Sequence, residues 1–366
     1  MLIHKHDDGA WNKSARGVQL LATLSPNSWV LRLNYRHAFH VGNFADILKH
    51  LVLVLCIESL KKKDKPFRYI DTHAGIGRYD LTGDEARRSP EWQEGIGRIW
   101  AAHKAGDIPE DVAAILKPYL DAVSEINYDG DLESYPGSPD LAATLMREQD
   151  SLRLTELHPA DKETLTDHFF RDKRVKIENR NGYEALKAYL PPPERRGVVL
   201  VDPPFEHRDE LAHMAKGAMG GISRWPTGTY IFWRPLKDME NTQKFDDGLA
   251  EWLLDDMEFS HEKILLADLW VKEIVEPGPL CGAGVVVVNP PYGMQEALLT
   301  VLPWVTELLQ QDEGAGWRIN APEAEPGLEE QIDVEIENVP TFDPDDGNIE
   351  LSDEDLAELG LNKNDI

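Results

Sequence analysis

The tetrapeptide Asp202-Pro203-Pro204-Phe205 closes an apolar run, Val198–Val201, and its residue types suit the alkylation of an aromatic amino group. An exocyclic amino nitrogen is a poor nucleophile because its lone pair is delocalised into the ring. A carboxylate at Asp202 and the carbonyl of Pro203 can accept its two N–H bonds, drawing the nitrogen toward tetrahedral geometry and freeing the lone pair. Two successive prolines restrict the backbone, so that the carbonyl keeps one direction. Phe205 supplies a ring on which an extruded base can stack, a contact worth about 1–3 kcal/mol. A second tetrapeptide of the same pattern, Asn289-Pro290-Pro291-Tyr292, follows another apolar run, Val285–Val288. The motif does not separate the two. Strand order favours Asp202, which ends the fourth predicted strand, beside the strand expected to carry a cofactor loop; Asn289 ends the seventh.

That loop is Asp71-Thr72-His73-Ala74-Gly75-Ile76-Gly77, directly after the first apolar strand. Its glycines let the backbone approach the methionine part of S-adenosylmethionine closely. A dinucleotide fingerprint would need a third glycine where Asp80 stands. Glu156 ends the second strand, where a carboxylate can hold the ribose hydroxyls. Asn181 follows the third, where a polar side chain can read the cofactor's adenine. Each alone is an ordinary loop residue; together with Asp202 they occupy the ends of four successive strands.

Other candidates carry less. Ser138, in Pro136-Gly137-Ser138-Pro139, fits a turn as well as a site. Lys49 and His50 fit a helix surface as well as a cleft. Tyr35, Arg36, His37, Phe39 and His40 form an aromatic and basic cluster suited to a substrate lid or to packing. The 12 histidines show no metal-ligand spacing, so no metal is expected.

The elements that must position these residues read as seven strands: Phe67–His73, Leu152–Leu157, Val175–Glu178, Gly197–Val201, Thr229–Trp233, Lys263–Trp270 and Gly284–Val288. The first five alternate with helical segments and the last two form a hairpin. This predicts an α/β fold: a seven-stranded, Rossmann-like class I methyltransferase sheet, mostly parallel with the last strand antiparallel, binding ligands at the carboxyl ends of its strands. Asn43 caps a helix with an apolar stripe through Ile47, Leu48, Leu51, Val52 and Leu55. Residues 81–135 read as a helical insertion on the ligand-binding rim, where a macromolecular substrate needs extra surface. Residues 1–33 read as a flexible extension, 34–317 as the domain, and 318–366 as an acidic, disordered tail.

The net charge of −28 weighs against a nucleic-acid partner at first sight. It is uneven: from Asp312 onward 18 acidic residues face only Arg318 and Lys363. Basic clusters occur at Lys61, Lys62, Lys63, Lys65 and Arg68, at Arg171, Lys173, Arg174 and Lys176, and at Arg195 and Arg196. No apolar run approaches the roughly 20 residues that span a bilayer. Two distant cysteines, without a CxxC pattern, fit a reducing cytoplasm.

Longer strings sharpen the reading. Tyr35-Arg36-His37-Ala38-Phe39-His40-Val41-Gly42-Asn43, Ala45-Asp46-Ile47-Leu48-Lys49-His50, Thr155-Glu156-Leu157-His158-Pro159 and the motifs above make the chain resemble the RlmJ family, bacterial enzymes that form N6-methyladenine in 23S rRNA. The resemblance runs from about Leu33 to Trp317. It implies that His50, His73, Ser138, Glu156 and the Asn181-Gly182 pair contact S-adenosylmethionine, with Lys49, Asp71, Gly75 and Asp202 around it. Asp202 would be catalytic, with Pro203 and Phe205, and Tyr35, Arg36 and His37 would lie against the substrate. It also implies a monomer acting on adenine 2030 of 23S rRNA before full ribosome assembly. Two departures stand out: Asn181 replaces the family's usual Asp, and Phe205 the commoner Tyr. An amino methyltransferase acting on DNA or protein glutamine would share the site, and an RNA-binding assembly factor could share the fold.

Overall fold

The computed structural model describes residues 37–207 and 209–320. Its centre is an eight-stranded sheet in the order β10-β8-β9-β7-β6-β1-β4-β5. The strands are β1 (Arg68–Asp71), β4 (Ser151–Thr155), β5 (Val175–Glu178), β6 (Gly197–Val201), β7 (Thr229–Pro235), β8 (Ile264–Trp270), β9 (Gly282–Val288) and β10 (Gly316–Asn320). β1, β4, β5, β6 and β7 run parallel. β9 runs against both β7 and β8, and β10 runs against β8. Every residue of β6 and of β9 is buried. Their near-continuous Val and Leu runs are what a strand covered on both faces requires.

The expected seven strands are therefore eight, and a second strand besides β9 is antiparallel. The sequence reading missed β10 because its five residues lie beside an acidic stretch, where local pattern is weak. Its place is set from a distance. The Arg318 side chain pairs with Asp268 of β8 at 2.5 Å, while Trp317 and Ile319 pack on the core from the other face. A two-stranded ribbon, β2 (Arg78–Asp80) with β3 (Ser134–Pro136), was also unforeseen. It closes the base of the segment between them, which holds helices α2 (Asp84–Arg88), α3 (Glu91–Glu94), α4 (Ile96–Ala105) and α5 (Glu110–Glu125).

Helix α1 (Phe44–Lys61) begins where the Asn43 side chain accepts from the Ala45 and Asp46 amides. It is buried nearly all round, so the polar groups it carries, Asp46, Lys49 and His50, need partners inside the protein. The helical segment grips its start: Glu91 accepts from His40 and Asn43, each at 2.9 Å, and the Ile96 amide donates to the Gly42 carbonyl at 2.8 Å. Helices α6 (Ser138–Leu145), α7 (Pro159–His168), α8 (Gly182–Tyr189), α9 (Glu210–Arg224), α10 (Met239–Glu251) and α11 (Met294–Leu309) complete the two layers. No helix among the described residues is long and apolar enough to cross a membrane.

Strand direction separates the two proline tetrapeptides. β6 delivers Asp202 to the carboxyl ends of the parallel strands. β9 runs the other way, with Val288 opposite Tyr230, so Asn289 emerges at the opposite edge of the sheet. There its side-chain amide donates to the Pro226 and Gly228 carbonyls at 2.8 and 2.7 Å, fastening the loop before β7.

Candidate active site

The loops after β1, β4, β5 and β6, with α1 and the start of α6, enclose a cleft of about 1760 Å³. That exceeds a typical single-ligand pocket of roughly 300–1,000 Å³. His37, Lys49, His50, His73, Gly75, Ser138, Glu156, Asn181, Gly182, Asp202, Pro203 and Phe205 all line it. Tyr35 and Arg36 lie outside the described residues. Asp71, expected among the cofactor contacts, is not on the wall. It lies fully buried beneath the loop, where its carboxylate accepts from the Tyr69 hydroxyl, from Ser138 Oγ at 2.7 Å and from the His73 amide at 3.1 Å. Its capacity is spent on holding the loop and Ser138 in place.

A line of charge crosses the floor. His37 Nε2 meets Asp46 Oδ2 at 2.9 Å, Asp46 Oδ1 meets Lys49 Nζ at 2.8 Å, and Lys49 Nζ meets Asp202 Oδ2 at 2.6 Å. Lys49 is only 4% exposed, which excludes the helix-surface alternative. Burial opposes its charge, but the carboxylates of Asp202 and Asp46 raise its pKa well above the ordinary lysine value. Burial works against ionised Asp46 too, yet His37 and Lys49 hold its carboxyl well below the usual range. Asp46 had stood in the sequence only as part of a family string. The usable signal was Asp46, Lys49 and His50 at i, i+3 and i+4 on an otherwise apolar helix, a pattern that calls for internal partners.

His50 turns Nδ1 to the Tyr135 hydroxyl at 2.8 Å, itself 2.7 Å from that of Tyr119. Burial pushes the His50 pKa down to about 3 and that of His73 to about 4, so both rings are neutral near pH 7. Nε2 of His50 has no partner among the described residues, and a buried polar atom in that state on a cleft wall suits a ligand's polar group. Glu156 accepts from the Gly75 and His158 amides, each at 2.8 Å, while burial raises its pKa to about 7. Asn181 caps α8, its Oδ1 accepting from the Tyr183 and Glu184 amides at 2.9 and 3.3 Å, which leaves its NH₂ as a donor. At Gly182 a Cβ would come within 2.7 Å of the His73 ring, so the wall needs glycine there. Phe205 adopts φ +50° and meets Trp233 edge to face, with centroids 5.5 Å apart. Trp233 lines the cleft too and had no motif to announce it.

The cleft thus joins a charge-held carboxylate and a flanking prolyl residue to a set of hydrogen-bonding groups from the surrounding loops and α1. The chain is similar to proteins of one family. The family model described as Ribosomal RNA large subunit methyltransferase D, RlmJ, matches residues 64–320. The Ribosomal RNA large subunit methyltransferase J of Haemophilus influenzae is 40% identical over 288 residues, covering 78% of this chain and 98% of its own. That of Escherichia coli K12 is 42% identical over 274 residues, covering 75% and 92%. A crystal structure of a Legionella pneumophila protein, 30% identical, superposes with a TM-score of 0.68 over 77% of this chain and 98% of its own. The chain belongs to the RlmJ family of large-subunit ribosomal RNA methyltransferases.

Proposed function

We propose that the protein methylates the N6 amino group of an adenine in 23S rRNA, adenine 2030 by resemblance, using S-adenosylmethionine. The observation that carries this reading is Asp202, held by Lys49 at 2.6 Å in the same cleft as Glu156, His50 and the Asn181-Gly182 turn. The groups fit that cofactor. Glu156 offers carboxylate oxygens to ribose hydroxyls, the Asn181 amide a donor to an adenine ring nitrogen, and His50, His73 and Ser138 polar atoms to the methionine end. Gly75 and Gly182 leave room for close approach, and Asp71 braces the loop from below. When bound, S-adenosylmethionine supplies an electrophilic methyl group.

The rest of the chemistry belongs to this chain. Lys49 engages Asp202 Oδ2, which leaves Oδ1 to accept one N–H of the target amine. The Pro203 carbonyl accepts the other, and the base stacks on Phe205. By the resemblance, Tyr35, Arg36 and His37 contact the substrate, His37 from its place beside Asp46. Transfer is direct and in line, with no covalent enzyme intermediate, and the rate comes from positioning and preorganised charge. The enzyme works as a cytoplasmic monomer on rRNA before full assembly. Labelled methyl from S-adenosylmethionine should appear as N6-methyladenosine in protein-free 23S rRNA. Cofactor binding without label in that RNA would redirect the reading to DNA or protein amides.

Cofactor affinity should depend on pH through Glu156. The ribose hydroxyls need its ionised form, and its pKa of about 7 in the free protein means that protonation competes with binding below neutrality. Affinity is full above about pH 8 and falls as the pH drops through 7, approaching roughly tenfold per unit. Calorimetric titration across that range should show the decline, and Glu156→Gln should bind weakly with a flat profile. A wild-type profile equally flat would remove Glu156 from the ribose site.

A further inference from the structure

The three basic runs, far apart in sequence, meet on one face. Strand register brings Arg68 opposite both Ser151 and Gly197, and Leu152 opposite Val175, so the amino ends of β1, β4, β5 and β6 form one row. Arginines bind the turns together there. Arg196 donates to the Lys65 and Leu60 carbonyls at 2.6 and 2.9 Å, Arg147 to those of Lys63 and Lys65 at 3.0 and 2.9 Å, and Arg174 to that of Met146 at 2.7 Å. The neighbouring acids Asp150, Asp172 and Glu194 are engaged by Arg147, Arg174 and Arg68, and the exposed Asp64 lies 3.8 Å from Arg147, which leaves Glu148 as the exposed acid beside the lysines.

What remains is a surplus of positive charge. Lys62, Lys63, Lys65, Lys173 and Lys176 are exposed, as are Arg171 and Arg195. None of these seven takes part in an ion pair among the described residues. Phe170, 72% exposed, stands beside them with the Arg171 guanidinium 4.9 Å from its ring centroid. Gathering like charges costs repulsion, and none of these seven has an ion-pair partner among the described residues to offset it. On a chain of net charge −28, such a face suits a polyanion. An exposed aromatic among cations suits one that carries bases.

We propose that this face is a second RNA-binding surface, directed at phosphates, which holds a segment of the substrate rRNA away from the target adenine. The inference rests on the methyltransferase reading given above. The face lies at the opposite end of the parallel strands from the cleft, so a short target hairpin occupies only the cleft while a long rRNA reaches both.

The test replaces Lys62, Lys63, Lys173 and Lys176 together by alanine and compares methylation of protein-free 23S rRNA with that of a short RNA bearing only the target element. For the long RNA, KM should rise about tenfold at about 0.1 M salt, and the log–log salt dependence of binding should become shallower by about 3, from about 0.7–0.9 per phosphate contact over four lost contacts. The kcat, and the KM for the short RNA, should stay as in wild type. An unchanged KM and salt slope for the long RNA would overturn the proposal, including the case in which the face serves an acidic protein instead. Equal losses on both RNAs would overturn it too, by placing these lysines at the cleft. If wild type methylates neither RNA, the functional reading fails separately. Filter binding of the long RNA then decides for this face, since equal retention of wild type and variant rejects it.

Discussion

Asp202→Ala should lower kcat by about a thousandfold and leave S-adenosylmethionine affinity nearly unchanged. Removing one preorganised group aimed at transition-state charge costs about 10²–10³ in rate. Here the loss takes both the N–H acceptor and the anion that Lys49 orients. The fold should survive, because Lys49 keeps Asp46 as a partner at 2.8 Å. Asp202→Asn, which retains an acceptor oxygen but not the charge, should fall between the two. Steady-state transfer of labelled methyl, beside calorimetry for the cofactor, separates the effects; substantial turnover by the alanine variant would refute the assignment. Asn289→Ala is the matched control. It lies at the far edge of the sheet and should keep its activity while losing some stability with its bonds to Pro226 and Gly228.

Arg234→Leu should destabilise the protein by about 3–5 kcal/mol, the usual cost of stripping one partner from a buried ionic cluster. Arg234 on β7 is fully buried; it pairs with Asp246 of α10 and, at 2.7 Å, with Asp268 of β8, which also holds Arg318 of β10. The substitution leaves two carboxylates in the interior with too little positive charge between them. Gly284 belongs to the same arrangement, since a Cβ there would overlap both the Arg234 guanidinium and the Asp268 carboxylate. Urea unfolding at neutral pH measures the effect, and a loss under about 1 kcal/mol would show that the cluster is incidental to stability. The adjacent Trp233 lines the cleft, so this network also braces one of its walls.

How much of this was legible beforehand followed from range. Strands β5 and β6 were readable to the residue, because Gly-Val-Val-Leu-Val reports burial locally and Val-Lys-Ile-Glu alternates with a strand's period of two. The site loops were readable for the same reason: a parallel strand delivers its next residues to the carboxyl edge, so Glu156, Asn181 and Asp202 could be placed by counting strands. Asn181 as a helix cap was not read from the sequence, although its chemistry is local, the donating amides lying two and three residues on.

Other features depended on packing between distant segments. The tetrapeptide at Asn289 shares the pattern of that at Asp202; strand order already favours Asp202, and the direction of β9, set by its pairing with β7 and β8, puts Asn289 at the other end of the sheet. Lys49 and Asp202 lie 153 positions apart, and His50 and Tyr135 lie 85 apart. No periodicity encodes such distances; they appear only when α1 is pressed into the core and its polar groups must find partners. β10 depended on Asp268, and the basic face on four strand starts falling into one row. The sequence alone determined which residue types stand at which strand ends, because turn chemistry and hydrophobic period act over a few residues. The tertiary structure alone decided which charges meet, because burying a charge is tolerable only beside its counter-charge, wherever in the chain that lies.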